Sequence, residues 1–189
     1  MAIKRSAWKR ALRARFMAGR SFVRDERAVT AIEFGLLGVP FFAIVGAIME
    51  TSLVFLSGQI LDSAVQDASR LVRTGQANSA GYNAVTFKKA VCDGLYGLFD
   101  CTALKLHTSV VSTFGNANLT SNPLDPKTGD WAPDWLNDTY NGGGNASVIM
   151  VEAYYKWPVI VSLGGFNLQN TPDGKRLISA VRVFRNEPF

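Results

Sequence analysis

The chain has little of what metal and redox chemistry draw on. Among its 189 residues there is one histidine and there are two cysteines, so a structural zinc site with four Cys/His ligands is excluded. Charge is sparse at 19%, against 48% hydrophobic residues, which excludes disorder along the whole length. The length is that of about one domain, taking roughly 100–200 residues per domain, and excludes a large multidomain enzyme. Excess positive charge is also missing from most of the chain. Residues 1–27 hold nine Lys/Arg (Lys4, Arg5, Lys9, Arg10, Arg13, Arg15, Arg20, Arg24, Arg27) against Asp25 and Glu26, so 9 − 2 = +7. The other 162 residues hold 11 basic and 13 acidic, so 11 − 13 = −2. The basic character therefore belongs to a short arm, which argues against nucleic acid as the partner and for a membrane surface.

No charge at all occurs between Phe34 and Met49. Glu50 interrupts, and the apolar pattern resumes at Leu53, so 34–56 is a predominantly apolar stretch of 56 − 34 + 1 = 23 residues. A membrane span needs about 20. One Glu near the end of such a stretch is tolerable if it reaches the interface or a protein partner. A buried helix of a soluble core is the alternative, and the one-sided basic flank argues against it. Positive charge before the span predicts a cytoplasmic N-terminus and an outer C-terminal domain. The run is longer than a secretory h-region and no A-x-A site follows, so ordinary signal peptidase cleavage is not expected. In the arm, Trp8, Leu12 and Phe16 fall at i, i+4 and i+8. They fit either a cationic helix on the inner leaflet or a disordered basic tail.

Glu33 stands at the mouth of the span without a basic residue at i+3 or i+4. An ionisable group there either marks the water boundary or has a function. The segment RAVTAIEFGLL, in which a basic leader and a small residue precede Glu-Phe and an apolar helix, resembles the N-terminal signature of Flp pilins and of the TadE-like pseudopilins of the tight-adherence (Tad) system. The resemblance implies that a prepilin peptidase cuts between Ala28 and Val29, leaving Glu33 as the fifth residue. The family often has Gly before the cut; here it is Ala28. It further implies that the Glu33 carboxylate pairs with the new α-amino group at Val29 of a neighbouring subunit, because an opposite charge offsets the cost of a carboxylate in an apolar bundle.

After the span, Ile60, Leu61, Ala64, Val65, Ala68, Leu71 and Val72 keep helical spacing, with Asp62, Gln66, Asp67, Arg70 and Arg73 on the other face. Gly75 is a natural stop. The pattern predicts one helix from Val29 to Thr74 of 74 − 29 + 1 = 46 residues, roughly 69 Å long, kinked at Pro40. Gln76 to Asn83 reads as a polar linker. Thr86 can cap a short helix over Phe87 to Leu98. Cys92 and Cys101 flank it; outside the inner membrane they form a disulfide, the alternative being two unpaired buried thiols.

Three strands are predicted: around Leu104 to Val110, over Ser147 to Trp157, and over Leu177 to Phe184. His107 sits in the first, without a nucleophile motif, and is not expected to be catalytic. Between the first two lies the long connection Phe114 to Asn145, a length that is often functional or disordered. Its Gly142-Gly143-Gly144 run lacks a following Lys-Ser/Thr and makes a poor phosphate loop. Asp125, Asp130, Asp134 and Asp138 could bind calcium but fit no ligand template, so a solvated loop is the better reading. The run VIVSLGGF (159–166) is too short to span and reads as an apolar apron touching the membrane surface or a partner.

The Cys pair after a short helix, the Tyr155–Pro158 segment and the closing FRNEP (184–188) also look TadE-like. The expectation is an α+β, pilin-like chain. Its long helix, membrane-spanning in the first half and amphipathic in the second, packs on a small antiparallel sheet domain with a short disulfide-linked helix. Residues 1–28 form a cytoplasmic leader, 29–75 the helix, and 76–189 an extracytoplasmic domain. No catalytic residue, cofactor or metal is expected. The resemblance implies a minor pilin of a bacterial inner membrane, since the outer domain is too large for a major Flp subunit. The implied partners are the prepilin peptidase, other pilin-like subunits, the assembly platform and the lipid bilayer, with no nucleic acid. The competing expectation is an uncleaved, membrane-anchored periplasmic scaffold or ligand-binding module.

Overall fold

The structure, a computed structural model, describes residues 26–118, 122–163 and 166–189. The basic arm with Trp8, Leu12 and Phe16 lies outside the described residues. The chain divides into two units, Met1–Ala47 and Ile48–Phe189.

The described part of the first unit is helical. Helix α1 runs over Glu26–Arg73 and includes Pro40. Along its first half the large apolar side chains are exposed. In the second unit the helix turns amphipathic as predicted. Ser57, Leu61, Ala64, Val65, Ala68 and Val72 are buried on one face, while Gln66, Asp67, Arg70 and Arg73 are exposed. The helix ends at Gly75, whose φ of +75° is left-handed and suits glycine. A Cβ there would also run into the Phe189 ring.

Gln76 to Ser79 is a one-turn helix, α2, with Ala77 buried beneath it; the expected linker is part of the domain. Helix α3 covers Ala84–Asp93, shorter than predicted because Gly94 ends it. Its cap is Asn83, not Thr86. The Asn83 side chain accepts the N–H groups of Val85 and Thr86 at 2.9 and 3.0 Å, and Thr86 Oγ1 accepts the Asn83 N–H at 2.8 Å. This reciprocal box stabilises a helix start by about 1 kcal/mol.

The sheet contains β1 (Lys105–Val111), β2 (Thr139–Tyr140), β3 (Val148–Pro158) and β6 (Lys175–Arg185), in the order β2-β1-β3-β6. A small hairpin, β4 (Ser162–Leu163) with β5 (Phe166–Asn167), stands apart. β1, β3 and β6 pair antiparallel as predicted. The sheet is nevertheless mixed, because β2 joins β1 in parallel, His107 facing Thr139. Alternation along the strands gives two faces. One face presents Leu106, Ile149, Val151, Ala153, Tyr155, Ile178 and Ala180 to the core, together with Leu61, Val65 and Ala68 of α1 and Phe87 and Val91 of α3. Arg182 of β6 forms an ion pair with Asp62 of α1, fixing the rotation of the amphipathic half over the sheet.

The other face, with Met150, Glu152 and Tyr154, is buried as well. Its cover comes from the long connection after β1. Trp135, fully buried, stacks on His107 at 3.7 Å and meets Tyr154 edge-on at 4.8 Å. Lys105 Nζ donates to Leu136 O at 2.6 Å, and Leu106 N to Asp138 Oδ1 at 2.9 Å. Within the connection expected to be solvated, Asp125, Asp130 and Asp134 are exposed, while the stretch around Trp135 lies over the sheet. Burial raises the Tyr154 phenol, helped by the nearby Glu152 carboxylate, to a pKa of about 12.

Cys92 and Cys101 are disulfide-bonded, with Cα atoms 6.0 Å apart. The closed loop inserts Phe99 against Tyr155 at 4.8 Å and Trp157 at 5.5 Å. The Tyr-x-Trp-Pro segment is therefore the seat of the disulfide loop.

Candidate processing and assembly site on the N-terminal helix

The Ala28–Val29 bond lies within α1. Val29 is 42% exposed, and Glu33, one turn further on, is exposed. From Val29 to Met49 the large apolar side chains are open, between 36% and 73%. The series includes Phe34, Leu36, Leu37, Phe41 and Phe42. Among the described residues this is one helix long and apolar enough to cross a membrane. A surface of this kind is unstable in water and needs lipid or other helices around it.

Glu50 behaves differently. Its residue exposure is 6%, and its two carboxylate oxygens accept the backbone N–H groups of Ile160 and of Val161, the latter at 2.6 Å. Charge-assisted bonds to two amides offset much of the cost of taking a carboxylate from water. Sequence reasoning allowed Glu50 an interface or protein partner. The partner is the chain itself, 160 − 50 = 110 positions away, and no local pattern announces it. The neighbouring hydroxyls are satisfied on the helix, Ser52 Oγ on Ile48 O at 2.8 Å and Ser57 Oγ on Leu53 O at 2.7 Å.

The remaining candidate positions have structural surroundings. His107, besides its stack on Trp135, lies with Nε2 3.1 Å from Asn137 O. Asp138 receives the Lys88 ammonium at 2.8 Å on its other oxygen. Asp125 Oδ1 accepts the N–H groups of Lys127 and Thr128 at 2.7 and 3.3 Å in a turn. The glycine run offers carbonyls: Gly142 and Gly144 accept Asn186 Nδ2 at 2.8 and 2.9 Å. Asn186 belongs to the closing FRNEP motif, so that motif ties the end of the chain to the glycine loop.

No curated protein and no solved structure matches the chain. A family model does match: residues 28–70 fit the one described as TadE-like protein. The TadE-like family is a structural, pilus-associated family, which implies association with pilus components. The matched segment, 70 − 28 + 1 = 43 of the 189 residues, begins at Ala28 and contains Glu33, the open apolar surface and most of the amphipathic half of α1. The N-terminal helix is therefore TadE-like, consistent with a TadE-like protein of the Tad pilus system.

Proposed function

We propose that this chain is a minor pilin, or pseudopilin, that works by being processed and assembled, without catalytic activity of its own. It sits in a bacterial inner membrane as a single-pass protein, with the arm in the cytoplasm and the sheet domain in the periplasm. A prepilin peptidase cuts between Ala28 and Val29. The cut removes the basic arm and leaves an α-amino group at Val29, one helical turn from Glu33. The Glu33 carboxylate then pairs with the α-amino group of a neighbouring pilin-like subunit, which sets register as helices enter a Flp-type (type IVb) pilus. The observation that carries this reading is the coincidence of three things on one helix: a family match starting at Ala28, an exposed carboxylate at Glu33, and an open apolar surface from there to Met49. The sheet domain supplies a specific surface at the priming, tip or accessory position.

Mass spectrometry of the protein extracted from membranes that also contain a prepilin peptidase tests it. A mature N-terminus at Val29 is expected. An intact Met1 or Ala2 under those conditions supports the uncleaved periplasmic scaffold instead.

A further inference from the structure

The loop after β3 holds out one large apolar side chain. Ile160 is 87% exposed, in a run, Val159 to Phe166, that contains no charged residue. Resting on the membrane-spanning reading of α1, we propose that this loop enters the outer leaflet of the bilayer and that Glu50 holds it there.

The length of the helix carries the first part of the case. Glu50 follows Glu33 by 50 − 33 = 17 residues, a rise of about 25 Å at 1.5 Å per residue. The hydrocarbon layer is about 30 Å thick. With Glu33 at the inner boundary, Glu50 falls a few ångströms short of the outer one. A carboxylate at that depth is costly unless it is given donors. It has two, the N–H groups of Ile160 and Val161, so the loop that supplies them lies at the same depth. The helix surface remains apolar past this point, with Leu53, Phe55 and Leu56 48%, 70% and 53% exposed. Irregular backbone at membrane depth has to satisfy its own polar groups. Here Glu50 takes two amides, and the β4–β5 hairpin pairs Leu163 with Phe166 and Ser162 with Asn167. At eight residues the run cannot cross; it can only dip. The partner is therefore acyl chain near the headgroup boundary.

Nitroxide labels at Phe42→Cys, Ile160→Cys and Val85→Cys test this. The native disulfide is kept oxidised, and the full chain is placed in phosphatidylethanolamine–phosphatidylglycerol vesicles. Collision with oxygen is compared with collision with a water-soluble nickel chelate. The expected result is oxygen-favoured collision at 42 and 160 and nickel-favoured collision at 85, an equally open site on α3 (Val85 77% exposed). Adding Glu50→Ala is expected to raise nickel access at 160 several-fold and leave 42 unchanged. Nickel-favoured collision at 160 with 42 still lipid-exposed overturns the inference and leaves the span standing. Shielding of 160 from both reagents overturns it in favour of a protein partner. Nickel-favoured collision at 42 overturns the span itself. A Glu50→Ala variant with 160 unchanged overturns the role given to Glu50.

Discussion

Glu187 donates its backbone N–H to the carbonyl of Arg73 at 2.9 Å, and the two side chains meet as an ion pair at 3.3 Å. The end of the chain thereby occupies one of the carbonyls that the end of α1 leaves open. Next to it, Asn186 is buried and reaches the glycine loop. Asn186 and Glu187 form a clasp between the long helix and the glycine loop.

The two halves of that clasp differ in strength. Asn186→Ala removes one buried and one part-buried hydrogen bond and strands the Gly142 carbonyl, so a loss of about 1–3 kcal/mol is expected. Glu187→Ala breaks a pair in which both side chains are about half exposed, and about 0–1 kcal/mol is expected. Urea unfolding of the detergent-solubilised protein, followed by tryptophan fluorescence, compares them. Equal effects would show that the clasp is not organised around Asn186.

Breaking the Cys92–Cys101 bond with Cys92→Ser is expected to cost about 2–3 kcal/mol, the loop-closure value for a short loop. Phe99→Ala, which empties the seat between Tyr155 and Trp157, is expected to cost about 3–5 kcal/mol. The two sites share one loop, so the double variant should fall short of the sum. Unfolding midpoints of the three variants check this.

Glu33 is exposed, so Glu33→Gln is expected to leave the stability of the fold within about 0.5 kcal/mol of the parent. The variant is expected to be retained in the membrane but depleted from sheared pilus fractions, measured by immunoblot of both. Unchanged processing together with unchanged incorporation would remove Glu33 from its assembly role.

The phenol of Tyr154 has its pKa raised from 10.0 to about 12, by burial first and by Glu152 second. A raised folded-state value means that the neutral form is favoured by folding. Its contribution is complete below pH 10 and is lost as pH rises through about 12. Thermal unfolding across pH 9–12 should show a falling midpoint, and Tyr154→Phe should flatten that fall. An unchanged slope in Tyr154→Phe would assign the alkaline loss to other groups.

Periodicity made most of the architecture legible. The uncharged run of α1, its amphipathic continuation at Leu61, Ala64, Val65 and Ala68, and the alternating strands were all written in local patterns. Gly75 marked its stop for the same reason. Features that depend on distant partners were not legible. Thr139–Tyr140 is too short to read as a strand and exists because its parallel pairing with β1 is held by Asp138 and the buried Trp135. The connection 114–145 looked solvated by composition and its Asp125, Asp130 and Asp134 are exposed, yet one tryptophan and the carbonyls near it bring residues 135–138 onto the sheet. Asn83 outcompeted Thr86 as the cap because its side chain accepts two amides. At the candidate site, the cut position and Glu33 could be named from local sequence. The Glu50 clamp could not, since its donors are backbone groups with no side-chain signature.

β6 closes the sheet on one side with eleven residues, a length that would readily template a further strand. It carries Lys175, Arg176 and Arg185, while Arg182 is paired with Asp62 of α1. Two copies approaching border to border would bring cation against cation, a repulsion that discourages fibril-like stacking of the domains. Neighbours would then be recruited through the long helix, while the sheets stay apart.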